Sequence, residues 1–142
     1  ATDPFALLNS SAPELVSSPY AELFADPREF QYVYRRGNRY DGTFLTVFVI
    51  NNEGLHHRLG VTASKKAIGK AVQRNRAKRL LREAFRSNEV PLNKLSSKYD
   101  WVLNAKSALL EVKLESPAEE FARIIYRISQ GESRTDAIEQ SQ

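Results

Sequence analysis

A two-layer α+β sandwich is the fold class predicted for this 142-residue chain, and three features of the sequence predict it. The run TFLTVFVI from Thr43 to Ile50 is β-branched and aromatic, as strands are. The segment from Gly69 to Arg86 carries an i, i+3, i+4 apolar stripe, as a core-facing helix does. Capping signals at Asp26 and Ser116 open helices before and after these elements. The order that results is α-β-β-(β)-α-β-α, with one short extra strand placed near Arg39 to Asp41. A length of 142 residues at 42% hydrophobic content suits a single core that needs no metal or disulfide.

Residues 1 to 25 are rich in Ser, Pro and Ala and form an N-terminal extension. One short helix is expected within it, over Pro19 to Phe24, with Ser18 as its cap and Pro19 at its first position. The folded domain spans 26 to 130. It begins at Asp26-Pro27-Arg28-Glu29, a cap, a proline at N1 and a glutamate at N3, in a helix that Gly37 stops. In the strand that follows, Phe44, Phe48 and Ile50 alternate with Leu45, Val47 and Val49, so both faces are apolar and both should be covered or used. Asn51 to Gly54 reads as a turn, and Arg58 to Ser64 as a second strand antiparallel to the first by the hairpin rule. Asp100 to Asn104, containing Trp101, is a further strand. Ser116-Pro117-Ala118-Glu119 forms a capping box for a last helix, with Phe121, Ile124, Ile125 and Ile128 facing inward until Gly131 ends it. Residues 131 to 142 are expected to be a polar, frayed tail.

Charge is the strongest functional signal. Gly69 to Arg86 holds seven basic residues and one acid, Glu83; extending the window back to Arg58 gives a local charge of +9, against −5 for the remainder and +4 in total. Such segregation is an electrostatic footprint for a polyanion. On a helix wheel Ala77, Leu80, Leu81, Ala84 and Phe85 share one arc, while Asn75, Lys78, Arg79, Arg82 and Arg86 occupy the opposite one and Arg74 lies at the edge of the apolar stripe. Arginine grips two phosphate oxygens at once and stacks on bases. A merely solvated basic face is disfavoured, because repeated like charges at i, i+4 destabilise a helix by a few tenths of a kcal/mol per pair. Lys65 and Lys66 follow at the end of the predicted second strand, where alternation lets only one join the helix in a single groove. Phe30 and Tyr34, spaced i, i+4, fit either core packing or a platform on which single-stranded bases stack, lined also by Leu45 or Val47.

Other chemistry finds little support. With no cysteine, disulfides, thiol nucleophiles and cysteine-ligated zinc are excluded. His56 and His57 read as surface residues of a turn, and Glu119 and Glu120 as helix N-terminal carboxylates that favour the macrodipole. No nucleophile elbow or phosphate loop is present. No catalytic or metal-ligating residue is therefore assigned. No apolar run reaches the roughly 20 residues of a membrane span, and the N-terminus lacks signal-peptide order, so a cytoplasmic setting is expected.

Phe30, Tyr34-Arg35-Arg36-Gly37, Leu59-Gly60, Ser64-Lys65-Lys66, Ala71-Val72, Arg74-Asn75-Arg76, Lys78-Arg79, Arg82-Glu83 and Phe85-Arg86, taken as an ordered set, resemble the bacterial ribonuclease P protein subunit over residues 26 to 130. The resemblance implies the fold of the second domain of a small-subunit ribosomal protein, with a left-handed β-α-β crossover where the general rule gives a right-handed one. It also implies a small partner of a catalytic RNA, in a complex that removes the 5′ leader of precursor tRNA with Mg²⁺ held mainly by RNA, without a small-molecule substrate. Lys65, Lys70, Arg74, Asn75, Arg76, Lys78, Arg79, Arg82 and Arg86 would then face the catalytic RNA. Phe30, Tyr34, Leu45, Val47 and Lys66 would line a cleft for the leader. Three departures stand out: Tyr34 replaces a common phenylalanine, Lys106 replaces a common arginine, and the AIGKAVQ link between Lys66 and Arg74 differs by one residue from some members, which leaves the facing of Lys70 open. The alternatives are a general RNA-binding or chaperone module, and a DNA-binding regulator, which the lack of a preceding short helix and tight turn argues against.

Overall fold

The structure, a computed structural model, describes residues 21 to 140. The N-terminal extension up to residue 20, including Pro19 of the expected short helix, lies outside them. The elements are β1 (Ala21–Leu23), α1 (Pro27–Arg36), β2 (Asn38–Asp41), β3 (Leu45–Asn51), β4 (His57–Thr62), α2 (Ala71–Ser87), α3 (Glu89–Asn93), β5 (Tyr99–Ala105), a 3-10 turn (Ser107–Glu111) and α4 (Glu115–Gln140). The strands form one sheet in the order β1-β4-β5-β3-β2.

That order corrects the expected hairpin. β3 and β4 are not neighbours; β5 lies between them, antiparallel to β3 from Leu45↔Ala105 to Asn51↔Tyr99 and parallel to β4 from Arg58↔Asp100 to Thr62↔Asn104. The connection after β3 is built to reach across β5. Asn52 donates from its backbone to Lys98 O at 3.0 Å and from its side-chain amide to Asp100 Oδ1 at 2.9 Å, fastening the loop to the start of β5. The predicted short helix is also corrected in its described part. Ala21–Leu23 is a strand parallel to β4, and Phe24 N continues the pairing to Leu59 O at 2.9 Å. Burial of the Phe24 ring, 5.0 Å from that of Phe30, outweighs the local capping signal.

α1 starts and stops where its sequence says. Asp26 accepts from Arg28 N at 2.9 Å, Pro27 opens the first turn, and Gly37 N donates to Val33 O at 2.8 Å. Gly37 is required by space: a Cβ there would lie 2.6 Å from Val33 O and 2.9 Å from Val49 O. Glu29 does not close a capping box but pairs with Arg58 of β4, tying the helix to the sheet.

Alternation along β3 and β5 sorts the core into two faces. Leu45, Val47, Val49, Leu59, Trp101 and Leu103 pack with Leu81 and Phe85 of α2 and with Phe121, Ile124, Ile125 and Ile128 of α4. Val102, Phe48 and Ile50 pack on the other side with Phe24 and with Phe30 and Val33 of α1. Both faces of TFLTVFVI are therefore covered, and α1 adds a partial layer to the sandwich.

Two buried polar residues depart from expectation. Glu120 is 6% exposed and reaches away from its own helix end to accept from Thr43 N (2.7 Å), Phe44 N (2.9 Å) and Leu45 N (3.1 Å). It thereby caps the start of β3, and the carboxylate leaves no room for a side chain at Gly42. His57 is fully buried in β4 while its neighbour His56 is exposed. Its Nδ1 accepts from Trp101 Nε1 and Tyr99 N, each at 3.1 Å, so the ring proton sits on Nε2 and is donated to Leu92 O at 3.1 Å. α4 also runs through Gly131 to Gln140. The next residue explains why: Glu132 accepts from Tyr99 Oη, Ser96 N and Ser97 N, anchoring a further turn to the loop before β5.

Two stability predictions follow from these groups. Burial holds the His57 imidazole below its ordinary pKa, so the folded state binds fewer protons than the unfolded chain. Stability should be flat above about pH 7 and fall as pH drops below about 6.5, and denaturant titrations of wild type and His57→Leu should show a flatter profile in the variant. Glu120→Ala, which strips the buried N–H of Leu45 and the part-buried N–H groups of Thr43 and Phe44 of their acceptor, should cost about 3 kcal/mol in the same assay.

Candidate nucleic-acid interface

β1 pairs with only the first half of β4. Beyond Leu59 no described strand covers the outer edge of β4, and a cavity of about 680 Å³ opens there. Its floor is Leu59, Val61, Thr62, Ala63 and Ser64, with Asn104 from the neighbouring β5; Phe24, Phe30 and Tyr34 wall one side and Lys78 and Arg82 of α2 the other. The cavity wraps a sheet edge, so it draws on α1 and α2 although they lie on opposite faces.

A line of rings runs along the α1 side. Centroid separations are 5.0 Å for Phe24 and Phe30, 6.4 Å for Phe30 and Tyr34, and 4.8 Å for Tyr34 and Phe48. Guanidinium groups lie over both ends, Arg58 at 4.9 Å from Phe24 and Arg39 at 5.6 Å from Phe48. Tyr34 is the most open ring of the line, 37% exposed. Gly60 makes the close packing of Phe30 on β4 possible, since a Cβ there would lie 2.7 Å from the Phe30 ring. Such a line supplies stacking surfaces for unpaired bases.

Leu45 and Val47 do not belong to this cleft. Both are fully buried on the α2 and α4 side, and Phe48, one residue out of phase, presents the ring that β3 contributes. Lys65 and Lys66 are exposed, but in a turn beyond β4, closed by Ser64 accepting from Ala67 N and Ile68 N, so strand alternation does not separate them. Ser64 is the last residue of that segment to line the cavity.

The basic helix divides its cations. Gly69, at φ +102°, turns the chain into α2, and Lys70 occupies the cap position with its side chain exposed. Asn75, Arg76 and Arg79 point to solvent. Arg74, Lys78 and Arg82 form a half-buried i, i+4 row, of which Lys78 and Arg82 reach the cavity, and Arg86 is half-buried in the last turn. Burial, and then the charge of Arg79, lower the Arg82 pKa, but guanidinium remains cationic at physiological pH. Arg58 is different: Glu29 and Asp100 flank it, which removes it from the basic face. Among the described residues no group of three acidic or histidine side chains is placed to hold a metal ion. None of their helices is long and apolar enough to cross a membrane.

The family model described as Ribonuclease P matches residues 19 to 129. The chain belongs to the ribonuclease P protein family. Among its relatives, the ribonuclease P protein component of Clostridium botulinum (strain Loch Maree) is 43% identical over 82 residues, 57% of this chain and 70% of the relative. That of Vibrio campbellii is 36% identical over 103 residues, 72% and 84% of the two chains. The solved ribonuclease P protein of Thermotoga maritima superposes with a TM-score of 0.64 at 26% identity, covering 75% of this chain and 96% of that one.

Phe24, Phe48, Thr62, Asn104 and the cavity-facing role of Lys78 and Arg82 escape a sequence reading of the site. Strand alternation could have indicated Phe48, whereas Asn104 becomes visible only once β5 is known to adjoin β4. With about six phosphates neutralised by α2 and its flanks, RNA affinity should fall with salt at a log-log slope of about −4. Replacing Arg76 and Arg79 by alanine should reduce the slope by roughly 1.4, and filter binding across a salt series that returned a slope near zero would overturn the electrostatic account.

Proposed function

We propose that this protein works as the protein cofactor of the ribonuclease P ribonucleoprotein in the cytoplasm, binding the catalytic RNA and the 5′ leader of precursor tRNA. The observation that carries the reading is the meeting of a cationic helix and an aromatic line at one open sheet edge, in a chain of this family. Arg76 and Arg79, with Lys65, Lys70 and Arg74, face the catalytic RNA and neutralise its phosphates, while the uncharged Asn75 beside them offers its amide for hydrogen bonding. Phe30 and Tyr34 stack on leader bases, while Lys78 and Arg82 across the cavity neutralise the leader backbone. Hydrolysis of the phosphodiester belongs to the RNA and to the Mg²⁺ it holds; the protein side chains screen repulsion and position the substrate, so less Mg²⁺ is needed. The aromatic spacing suits a single strand, because a duplex keeps its base faces stacked on one another.

Reconstitution tests this directly. Mixed with a bacterial ribonuclease P RNA and a precursor tRNA at limiting Mg²⁺, the protein should accelerate leader release, and Arg74→Ala with Arg76→Ala should abolish the gain. Phe30→Ala should weaken binding of leader-bearing substrate by roughly 1 to 3 kcal/mol and leave leaderless tRNA unaffected. Tight RNA binding with no gain in cleavage, using RNA that is active alone at high Mg²⁺, would identify a general RNA-binding module instead.

A further inference from the structure

We propose that Asn104, oriented by Tyr34 and Thr62, reads one base of the bound strand and makes the cleft prefer guanine or cytosine to adenine or uracil at that position. The inference rests on the leader occupying the cleft.

Asn104 lies on the α1 side of β5, directly across from Thr62 of β4, and lines the cavity. Its Oδ1 accepts from Tyr34 Oη at 3.0 Å and from Thr62 Oγ1 at 2.6 Å. Those two bonds use both lone pairs of the amide oxygen. A phenol is a better donor than acceptor, which sets the amide with its oxygen toward Tyr34. The Nδ2 group has no hydrogen-bond partner among the described residues, although Asn104 lines the cavity.

An asparagine with both ends free matches adenine, offering one donor and one acceptor together. Here the acceptor is occupied, and what remains is a pair of N–H donors. Two adjacent acceptors answer them best, and guanine presents such a pair at N7 and O6, cytosine at N3 and O2. Adenine alternates donor and acceptor along its polar edges, and the acceptors of uracil are separated by N3–H. The half-exposed Tyr34 ring beside the amide can hold the same base by its face, so one residue supplies stacking and fixes the reader.

The test uses the reconstituted holoenzyme and a panel of precursor tRNAs in which each leader position carries each of the four bases in turn. Wild type should bind guanine and cytosine roughly five- to tenfold more tightly than adenine at one position. Asn104→Leu should erase that preference by weakening guanine and cytosine at that position to the level of adenine and uracil. Tyr34→Phe combined with Thr62→Val frees the amide oxygen, and the preference should move toward adenine, a change that a merely structural asparagine would not produce. A wild-type panel that is flat at every position, or a preference untouched by Asn104→Leu, would overturn the base-reading role. Phe30→Ala in the same assay separates the two levels: no effect on leader-dependent binding sinks the cleft reading itself, whereas a clear loss beside a flat panel sinks only the reader.

Discussion

The placement of β5 between β3 and β4 is the constraint from which the rest of the molecule follows. A central strand is paired on both edges and covered on both faces, so each of its residues has one of two destinations, set by parity alone. Trp101 and Leu103 go to the core beneath α2 and α4, and Val102 goes beneath α1. Asn104 shares the parity of Val102 but lies one pleat beyond it, where the cover of α1 gives out and the cavity begins. A one-residue slip would bury Asn104 and expose Leu103. The core therefore enforces the register of the site, and Trp101 secures it further through its indole bond to the buried His57 on β4.

Electrostatics are sorted with similar economy of position. Arg58 belongs to the basic stretch in sequence, yet it stands over Phe24 between Glu29 and Asp100, where it fastens α1 to the sheet. Arg39 is likewise paired with Asp41, which also accepts from Thr46 Oγ1 and lies 3.6 Å from Lys106. Among the described residues no salt bridge engages Arg74, Arg76 or Lys78 in the first half of α2, and Glu83 is the helix's only acid. The sequence charge is thus divided by the fold into structural arginines, already neutralised, and a helix whose first half keeps an open cationic field.

Features that depend on neighbours in the chain were legible in the sequence. α1 could be bounded to the residue, because Asp26, Pro27 and Gly37 act within one turn of themselves. The apolar stripe of α2 and the two-faced character of β3 were legible for the same reason. What failed was decided by contacts far along the chain. Nothing near Asn51 shows that the loop will reach over β5, and local sequence alone favours the hairpin. Nothing near Glu120 distinguishes a carboxylate that serves its own helix dipole from one that captures three amides some 75 residues away. His57 looks like a surface histidine until Trp101 and Leu92 are placed around it. The sequence does not show on which face of β3 α1 settles; once α1 settles, alternation puts Leu45 and Val47 in the core and Phe48 on the cleft side.

The basic helix carries an internal conflict that core packing resolves. Arg74, Lys78, Arg82 and Arg86 form an unbroken i, i+4 series, and each like pair costs a few tenths of a kcal/mol. An isolated peptide of this sequence would resist the helical form. In the protein the adjacent stripe buries Ala77, Leu81, Ala84 and Phe85 completely, and full burial of a leucine or phenylalanine contributes about 1.5 to 3 kcal/mol each. Core packing thus exceeds the repulsion and keeps the cations in fixed register before any partner arrives. A polyanion laid along the helix meets an array whose ordering cost has already been met during folding, and it relieves the repulsion as it binds. The same packing sets Lys78 and Arg82 on the cavity side and Arg76 and Arg79 toward solvent, so one helix presents fixed cations in two directions.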